Sequence, residues 1–315
     1  MEGSVFFMVR HTIIVTADER QRKLVGLMEG QLKNGAEETW GSGLSEELSS
    51  MKEICEKVYV LPTPISKLDN NQEIKRKLKQ KLINGSCDSL VSVKVFAGVV
   101  NEEWECFFED HGICYWDLMK LPEVVDGNAY ITAEATLAEV LNKSAYSICG
   151  QKILVTGYGC CGKKIADLFA RLGAKVIVVA RRAEVCDEAK RDGHEAMTFE
   201  ECYRVVAEGK ECVRRGIHLY DVRTVINTVP ALVVKEELIR TLPPDACIID
   251  IASKPGGTDF KAAQNYGITA KLSLGLPGIY TTTSSALLLK KAILKYAPLP
   301  KNVSEDKLWI FQIII

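Results

Sequence analysis

Short apolar runs alternate with amphipathic stretches from early in the chain. The runs at 12–17 (TIIVTA), 57–62 (KVYVLP) and 93–98 (VKVFAG) have the length and β-branched content of strands, while 20–32 and 71–82 repeat apolar residues at helical spacing. Strands alternating with helices predict a parallel α/β layer. Residues 101–112 (NEEWECFFEDHG) read as a further helix ending at Gly112.

A second, cleaner alternation follows residue 149. Strands are expected at 153–157, 175–180, 224–229, 247–252 and 268–273 with helices between them, the pattern of a doubly wound, Rossmann-type parallel sheet. Between the two alternations, 132–143 (TAEATLAEVLNK) predicts a linking helix with Thr132 as N-cap and Glu134 in its first turn. A last helix is expected at 283–297, folding back onto the first domain. The apolar tail LWIFQIII is too short to span a bilayer and suits pairing with a partner or packing on a core. The expected plan is α/β throughout: a smaller N-terminal substrate-side domain over 1–128, a dinucleotide-binding domain with its linking helix over 129–281, and a C-terminal helix and tail over 282–315.

Composition narrows the function classes. A length of 315 residues with 47% hydrophobic content provides cores for two domains, and a formal net charge of -1 supplies no broad field for nucleic acid or an anionic membrane. Anion recognition must therefore be local. The first twenty residues carry no secretory apolar core or cleavage site, which makes a cytoplasmic location the expectation. Eleven cysteines, an odd number at irregular spacing, read as reduced thiols, and four histidines without paired spacing make a metal site unexpected.

The sharpest motif is Gly157-Tyr158-Gly159-Cys160-Cys161-Gly162, a GxGxxG that leaves an apolar strand and opens the helix KKIADLFARLG. Gly157 permits the tight turn, Gly159 lets backbone approach a pyrophosphate, and Gly162 lets the helix lie close to the sheet. Orphan N–H groups at the helix start suit the anion. An NAD site usually places an acid at the end of the second strand. This chain has Arg181 and Arg182 there, which points to the 2′-phosphate of NADP. Cys160 and Cys161 stand at a helix N-terminus, where a thiol pKa can fall.

Two further strand-end loops are unusually specified. In INTVP (226–230), Asn227, Thr228 and Pro230 have two readings: groups beside the nicotinamide ribose, or local caps of an ordinary turn. In ASKPGGTDF (252–260), Lys254 supplies a cation and Gly256 and Gly257 supply N–H groups for a carboxylate, while Thr258 or Asp259 caps the next helix. A third loop, SLGLPGIY (273–280), again turns at a strand end.

The stretch DIASKPGGTDFKAAQNYGITAKLSLGLPGIY (250–280), with INTVP, the GxGxxG, TAEAT (132–136), ADERQ (17–21) and VLPTP (60–64), resembles the family of A-type subunits of dipicolinate synthase. The likeness is dense over 128–280. It implies a two-domain arrangement like that of 2-hydroxyacid dehydrogenases with substrate in the interdomain cleft, NADP-dependent oxidation of dihydrodipicolinate to dipicolinate, and a flavoprotein-like B-type partner. It also implies the mother cell of a sporulating bacterium. Carried over, Gly157, Gly159, Gly162, Arg181, Asn227 and Pro230 serve the cofactor, whereas Asp18, Arg20, Thr132, Glu134, Lys254 and its adjoining glycines serve a dicarboxylate substrate. Glu134 or Asp18 then accepts the proton.

The chain departs from the family at Thr16, Ala17 and Ala135. Where the family has Ala-Pro-Lys-Thr after GLPGI, this chain has Thr281-Thr282-Thr283-Ser284, so one expected cation is missing. Two other readings stay open: a different NADP-dependent oxidoreductase such as a 2-hydroxyacid dehydrogenase, or a nonenzymatic NADP-binding scaffold protein. A homo-oligomer is compatible with each.

Overall fold

The computed structural model describes residues 8–29, 33–34, 54–208, 219–299 and 308–314. The chain divides into two compact units, Met1–Gly127 with Thr282–Ile315, and Asn128–Thr281.

The first unit runs β1 (Met8–Thr16), α1 (Glu19–Glu29), β2 (Lys33–Asn34), β3 (Ile54–Val60), α2 (Gln72–Ser86), β4 (Val91–Ala97), α3 (Glu102–Asp110), β5 (Cys114–Asp117) and the start of α4 (Pro122–Lys143). The second runs β6 (Lys152–Thr156), α5 (Cys160–Arg171), β7 (Lys175–Ala180), α6 (Ala183–Arg191), β8 (Glu195–Thr198), α7 (Phe199–Glu208), β9 (Val222–Asn227), α8 (Glu236–Ile239), β10 (Cys247–Asp250), α9 (Phe260–Asn265) and β11 (Thr269–Leu272). The chain ends with α10 (Thr282–Tyr296) and β12 (Leu308–Ile314), which belong to the first unit.

Each unit holds a wholly parallel six-stranded sheet, ordered β2-β12-β1-β3-β4-β5 in the first and β11-β10-β9-β6-β7-β8 in the second. Counting the second unit's strands from β6, the order is the 3-2-1-4-5-6 of dinucleotide-binding folds, read from the other edge. The expected doubly wound α/β class is the observed one. Helices covering both faces explain why β6, β7, β9 and β10 are buried almost continuously, with no alternation between a buried and an exposed face.

The apolar tail becomes a strand of its own chain's sheet. Leu308–Ile314 pairs in parallel with Arg10–Thr16, and β3 takes the other side of β1. Ahead of it, α10 packs Leu289 and Ile293 into the cluster that holds Leu24 and Met28 of α1. Buried Arg10 fixes the end of α10: its guanidinium is ion-paired to Glu56 and donates to the carbonyls of Ala297 and Pro298 at 3.0 and 2.8 Å.

Several sequence expectations need correction. The linking helix starts at Pro122, ten residues before Thr132, and the division between units falls inside it. Proline is well suited to the first helical turn, where its missing N–H costs nothing. Thr132 is therefore not an N-cap, and Glu134 is not in a first turn. Deep in the helix, the Thr132 hydroxyl donates to the Asn128 carbonyl at 2.7 Å, as an interior threonine does. Strands β5 and β8, four residues each, carry no signal in the sequence, since CYWD and EAMT show neither alternation nor a run. Of the helix expected over 20–32, the last three residues lie outside the described ones.

Candidate functional site

The GxGxxG turn leaves β6, whose last four residues are buried. Gly157 has φ 89°, and a Cβ there would lie 2.4 Å from the Thr228 Oγ1. A Cβ on Gly162 would stand 2.3 Å from the Gly157 carbonyl oxygen, so this glycine is what lets α5 begin against the turn. Gly159 differs: nothing lies within 4 Å of where its Cβ would be. It is the N-cap of α5, and no side chain caps that helix. The open space at Gly159 and the uncapped start of a twelve-residue helix form a cradle that fits a pyrophosphate.

Tyr158, inside the motif, anchors the turn from below. Its hydroxyl donates to Asp192 at 2.8 Å, just past α6, and burial together with that carboxylate pushes the phenol well above the ordinary tyrosine range. Cys161 faces Thr132. Burial, with Cys160 beside it, raises the Cys161 thiol, and a hydrogen bond with Thr132 opposes this only in part. The lowered thiol pKa expected at this helix start is therefore not found at Cys161: desolvation outweighs the helix end. Cys160 is exposed.

Asn227, at the end of β9, is fully buried. Its Oδ1 accepts from the Thr156 hydroxyl at 2.6 Å and the Val229 N–H at 3.0 Å, and its Nδ2 donates to the Val229 carbonyl at 3.0 Å. Thr228 gives both its N–H and its hydroxyl to the Thr156 carbonyl, at 3.0 and 2.8 Å. Of the two readings left open for these residues, local bracing is what the geometry supplies. They clamp β9 to β6 and shape the floor under Gly157. Pro230 is exposed beyond them.

The Pro-Gly-Gly bend is organised by a residue that sequence reasoning passed over. Asp250 closes β10 fully buried. Its carboxylate accepts from the Ala252 N–H at 3.0 Å and from the Gly257 N–H and Thr258 hydroxyl at 2.8 Å each. The Gly256 N–H goes to the Ser253 carbonyl at 2.8 Å, and the Gly257 carbonyl receives the N–H groups of Val233 and Val234 at 2.9 Å. Both glycine amides are spent inside the loop, which corrects the expectation that Gly256 and Gly257 offer N–H groups to a carboxylate. The glycines serve close packing instead: a Cβ on Gly257 would meet the carbonyls of Ala231 and Val229 at 2.3 Å. Asp259 caps α9 through the Ala262 N–H at 2.9 Å. Lys254 is exposed on the bend.

In the first unit, Asp18 lies between β1 and α1, and Arg20 is the second residue of α1. Arg20 has only 9% of its side chain exposed. It reaches the Thr63 carbonyl at 3.4 Å and Asp18 at 3.7 Å, yet its Nε has no hydrogen-bond partner. Burial lowers the Arg20 pKa, and Asp18 partly restores it. A buried guanidinium with an unused donor is a natural seat for an anion. Lys67, which the sequence did not bring to notice, donates to Asp18 at 2.6 Å from 49 residues away. Its nearest sequence signal was VLPTP, three residues upstream. Burial works to raise Asp18, but Lys67 and Arg20 together hold it below the usual carboxylate range.

Of the other expected residues, Arg181 and Arg182 are exposed after β7, with Arg182 at the N-cap of α6. Glu134 is exposed on α4. One residue set on the same helix escaped the sequence reading: buried Glu139 accepts from Lys271 at 2.9 Å through both oxygens and from the Tyr280 hydroxyl at 2.8 Å.

A glycine cradle at the first strand-to-helix turn of a 3-2-1-4-5-6 sheet defines a dehydrogenase-type nucleotide domain. Residues 127–309 match the family model "Alanine dehydrogenase/PNT, C-terminal domain", and the chain belongs to that family. More particularly, it is similar to the A-type subunit of dipicolinate synthase from Bacillus subtilis, 30% identical over 201 residues, which are 64% of this chain and 63% of that protein. The aligned part thus spans a little under two thirds of that relative. The crystal structure of the A-type dipicolinate synthase subunit from Bacillus halodurans shares the fold with a TM-score of 0.69 at 24% identity, covering 94% of this chain and 100% of the other. A transhydrogenase from Sinorhizobium meliloti is a more distant match, with a TM-score of 0.56, 14% identity, and 93% and 94% coverage. The resemblance read from the sequence holds. Among the described residues, no helix is long and apolar enough to cross a membrane.

Proposed function

We propose that this protein is the A-type subunit of a dipicolinate synthase, an oxidoreductase that oxidises dihydrodipicolinate to dipicolinate with NADP and works beside a B-type partner. The observation that carries the reading is the cradle at Gly159, open in space and backed by an uncapped helix start. Gly157, Gly159 and Gly162 would hold the pyrophosphate, and Arg181 stands where an acid would favour NAD. When bound, the nicotinamide ring supplies the hydride acceptor.

The remaining work is binding and proton management. The substrate loses a hydride and a proton and its ring becomes aromatic, which provides driving force without a strong base. Within the first unit, Arg20, buried and with Nε unused, is a candidate seat for a substrate carboxylate; within the second, exposed Lys254 is another candidate. Asp18 is ill suited to accept the proton, because its lowered pKa leaves it a weak base. Its carboxylate instead fixes Lys67 and steadies Arg20. Glu134 remains the candidate acceptor.

A 2-hydroxyacid dehydrogenase would use a histidine with an acidic partner. His194, just before β8, is paired at 3.3 Å with Asp167 of α5, and only 3% of its side chain is exposed. A ring buried in this way is poorly placed to meet a substrate, which argues against the alternative.

The test is calorimetric binding of NADPH, then NADPH formation from dihydrodipicolinate with and without the B-type partner. Arg20→Met and Lys254→Met should each weaken substrate while leaving nucleotide affinity intact. A wild-type chain that binds no dinucleotide, or variants that turn over normally, would refute the reading.

A further inference from the structure

The second unit carries a cavity of about 600 Å³. One wall is the residue directly after β7, Arg181. Another is the segment after β9, with Leu232, Val233 and Lys235, and Arg240 follows α8. The floor comes from Phe199 and Tyr203 on α7. In a sheet of this order, the space between the carboxyl ends of the second and fourth strands, here β7 and β9, adjoins the glycine turn after the first.

The chemistry of the walls is divided. Phe199, Leu232 and the Tyr203 ring offer flat and apolar surface. Tyr203 is fixed there, since its hydroxyl donates to the Val233 carbonyl at 2.6 Å and accepts the Lys235 N–H at 3.0 Å. The Lys235 ammonium stands 5.3 Å from the centre of that ring. Three cations, Arg181, Lys235 and Arg240, line the cavity together with two acids, Glu200 and Glu237. Glu200 is already paired, at 2.8 Å, with Arg204, which is not part of the lining. The balance is cationic. Arg182, by contrast, does not line the cavity.

An occupant must therefore pair a planar ring with a localised anion. We infer that Lys235 and Arg240, with Arg181, are the residues that read a phosphate on the adenosine ribose and so select NADP over NAD, and that Arg182 has no part in it. This rests on the dinucleotide reading of the proposed function and extends it to named specificity residues. A guanidinium fork matches a phosphate in two contacts, the lysine adds a point charge, and neither group gains from an unphosphorylated ribose.

The experiment uses the full chain and two probes, adenosine 2′,5′-bisphosphate and 5′-AMP, titrated by calorimetry. Wild type should prefer the bisphosphate. Lys235→Gln and Arg240→Gln should each weaken the bisphosphate about tenfold or more, the scale of one charge-assisted hydrogen bond, with 5′-AMP unchanged. Arg182→Gln should change neither. Both targeted side chains are exposed, and unaltered melting curves will establish that the variants fold. The inference is overturned if the Lys235 and Arg240 variants keep the wild-type preference, or if wild type binds both probes equally. Failure of wild type to bind either probe would instead bring down the dinucleotide reading itself, before any variant is compared.

Discussion

The carboxylate of Asp250 accepts the backbone N–H of Gly257 at 2.8 Å, from seven residues upstream. With the Ala252 N–H and the Thr258 hydroxyl on the same group, the Pro-Gly-Gly bend folds around a buried acid and leaves Lys254 outside. The bend is specified by what it encloses. Asp250→Ala should leave the two N–H groups and the hydroxyl without their partner and cost about 3 kcal/mol of stability. Urea unfolding measures it, and a loss under about 1 kcal/mol would mean the loop does not depend on this brace.

Gly159 and Gly162 should respond oppositely to alanine. Gly162→Ala drives a Cβ to 2.3 Å from the Gly157 carbonyl oxygen, an overpacking that should lower stability by about 2 kcal/mol and disturb the turn. Gly159→Ala meets nothing within 4 Å. The variant should melt like wild type yet lose nucleotide affinity at least tenfold, because the new methyl enters the space meant for pyrophosphate. Unchanged affinity in that variant would remove the functional meaning of the cradle.

Acid should loosen two defined places. Asp18 and Glu139 are both held below their ordinary values of 3.8 and 4.5, Asp18 by Lys67 and Arg20 and Glu139 by Lys271 and Tyr280, each against the opposing effect of burial. A depressed folded pKa contributes stability that is complete above the ordinary value and disappears as pH falls through the folded one. Melting of wild type against Asp18→Asn and Glu139→Gln should therefore show a gap at pH 7 that narrows below about pH 4. A gap that widens in acid would contradict the ion-pair assignments.

Removing residues 300–315 should cost the first unit its integrity. The segment includes β12, and its loss would leave Arg10–Thr16 of β1 with one open edge in what is otherwise the middle of a sheet. Amide exchange along β1 should rise by orders of magnitude in the truncated chain, with aggregation as the accompanying outcome. Protection equal to wild type would show that β12 adds nothing to the sheet.

The alternation of apolar runs and amphipathic stretches determined the parallel α/β class of both sheets, because strands buried on both faces must be continuously hydrophobic and helices covering them must carry one apolar stripe. The spacing of three glycines within that alternation was enough to mark the nucleotide cradle, since the backbone demands at Gly157 and Gly162 are local. What lay beyond local reach was left to the tertiary structure. It sent the apolar tail to β1, spent the Gly256 and Gly257 amides inside their own loop, turned Asn227 and Thr228 into braces, and moved Thr132 from the start of a helix to its interior. Lys67 met Asp18, and Lys235 came to line one cavity with Arg181, only once distant parts of the chain converged. Hydrogen bonds and ion pairs are made by whichever groups the packed strands bring within about 3 Å of each other, and sequence separation carries no information about that distance.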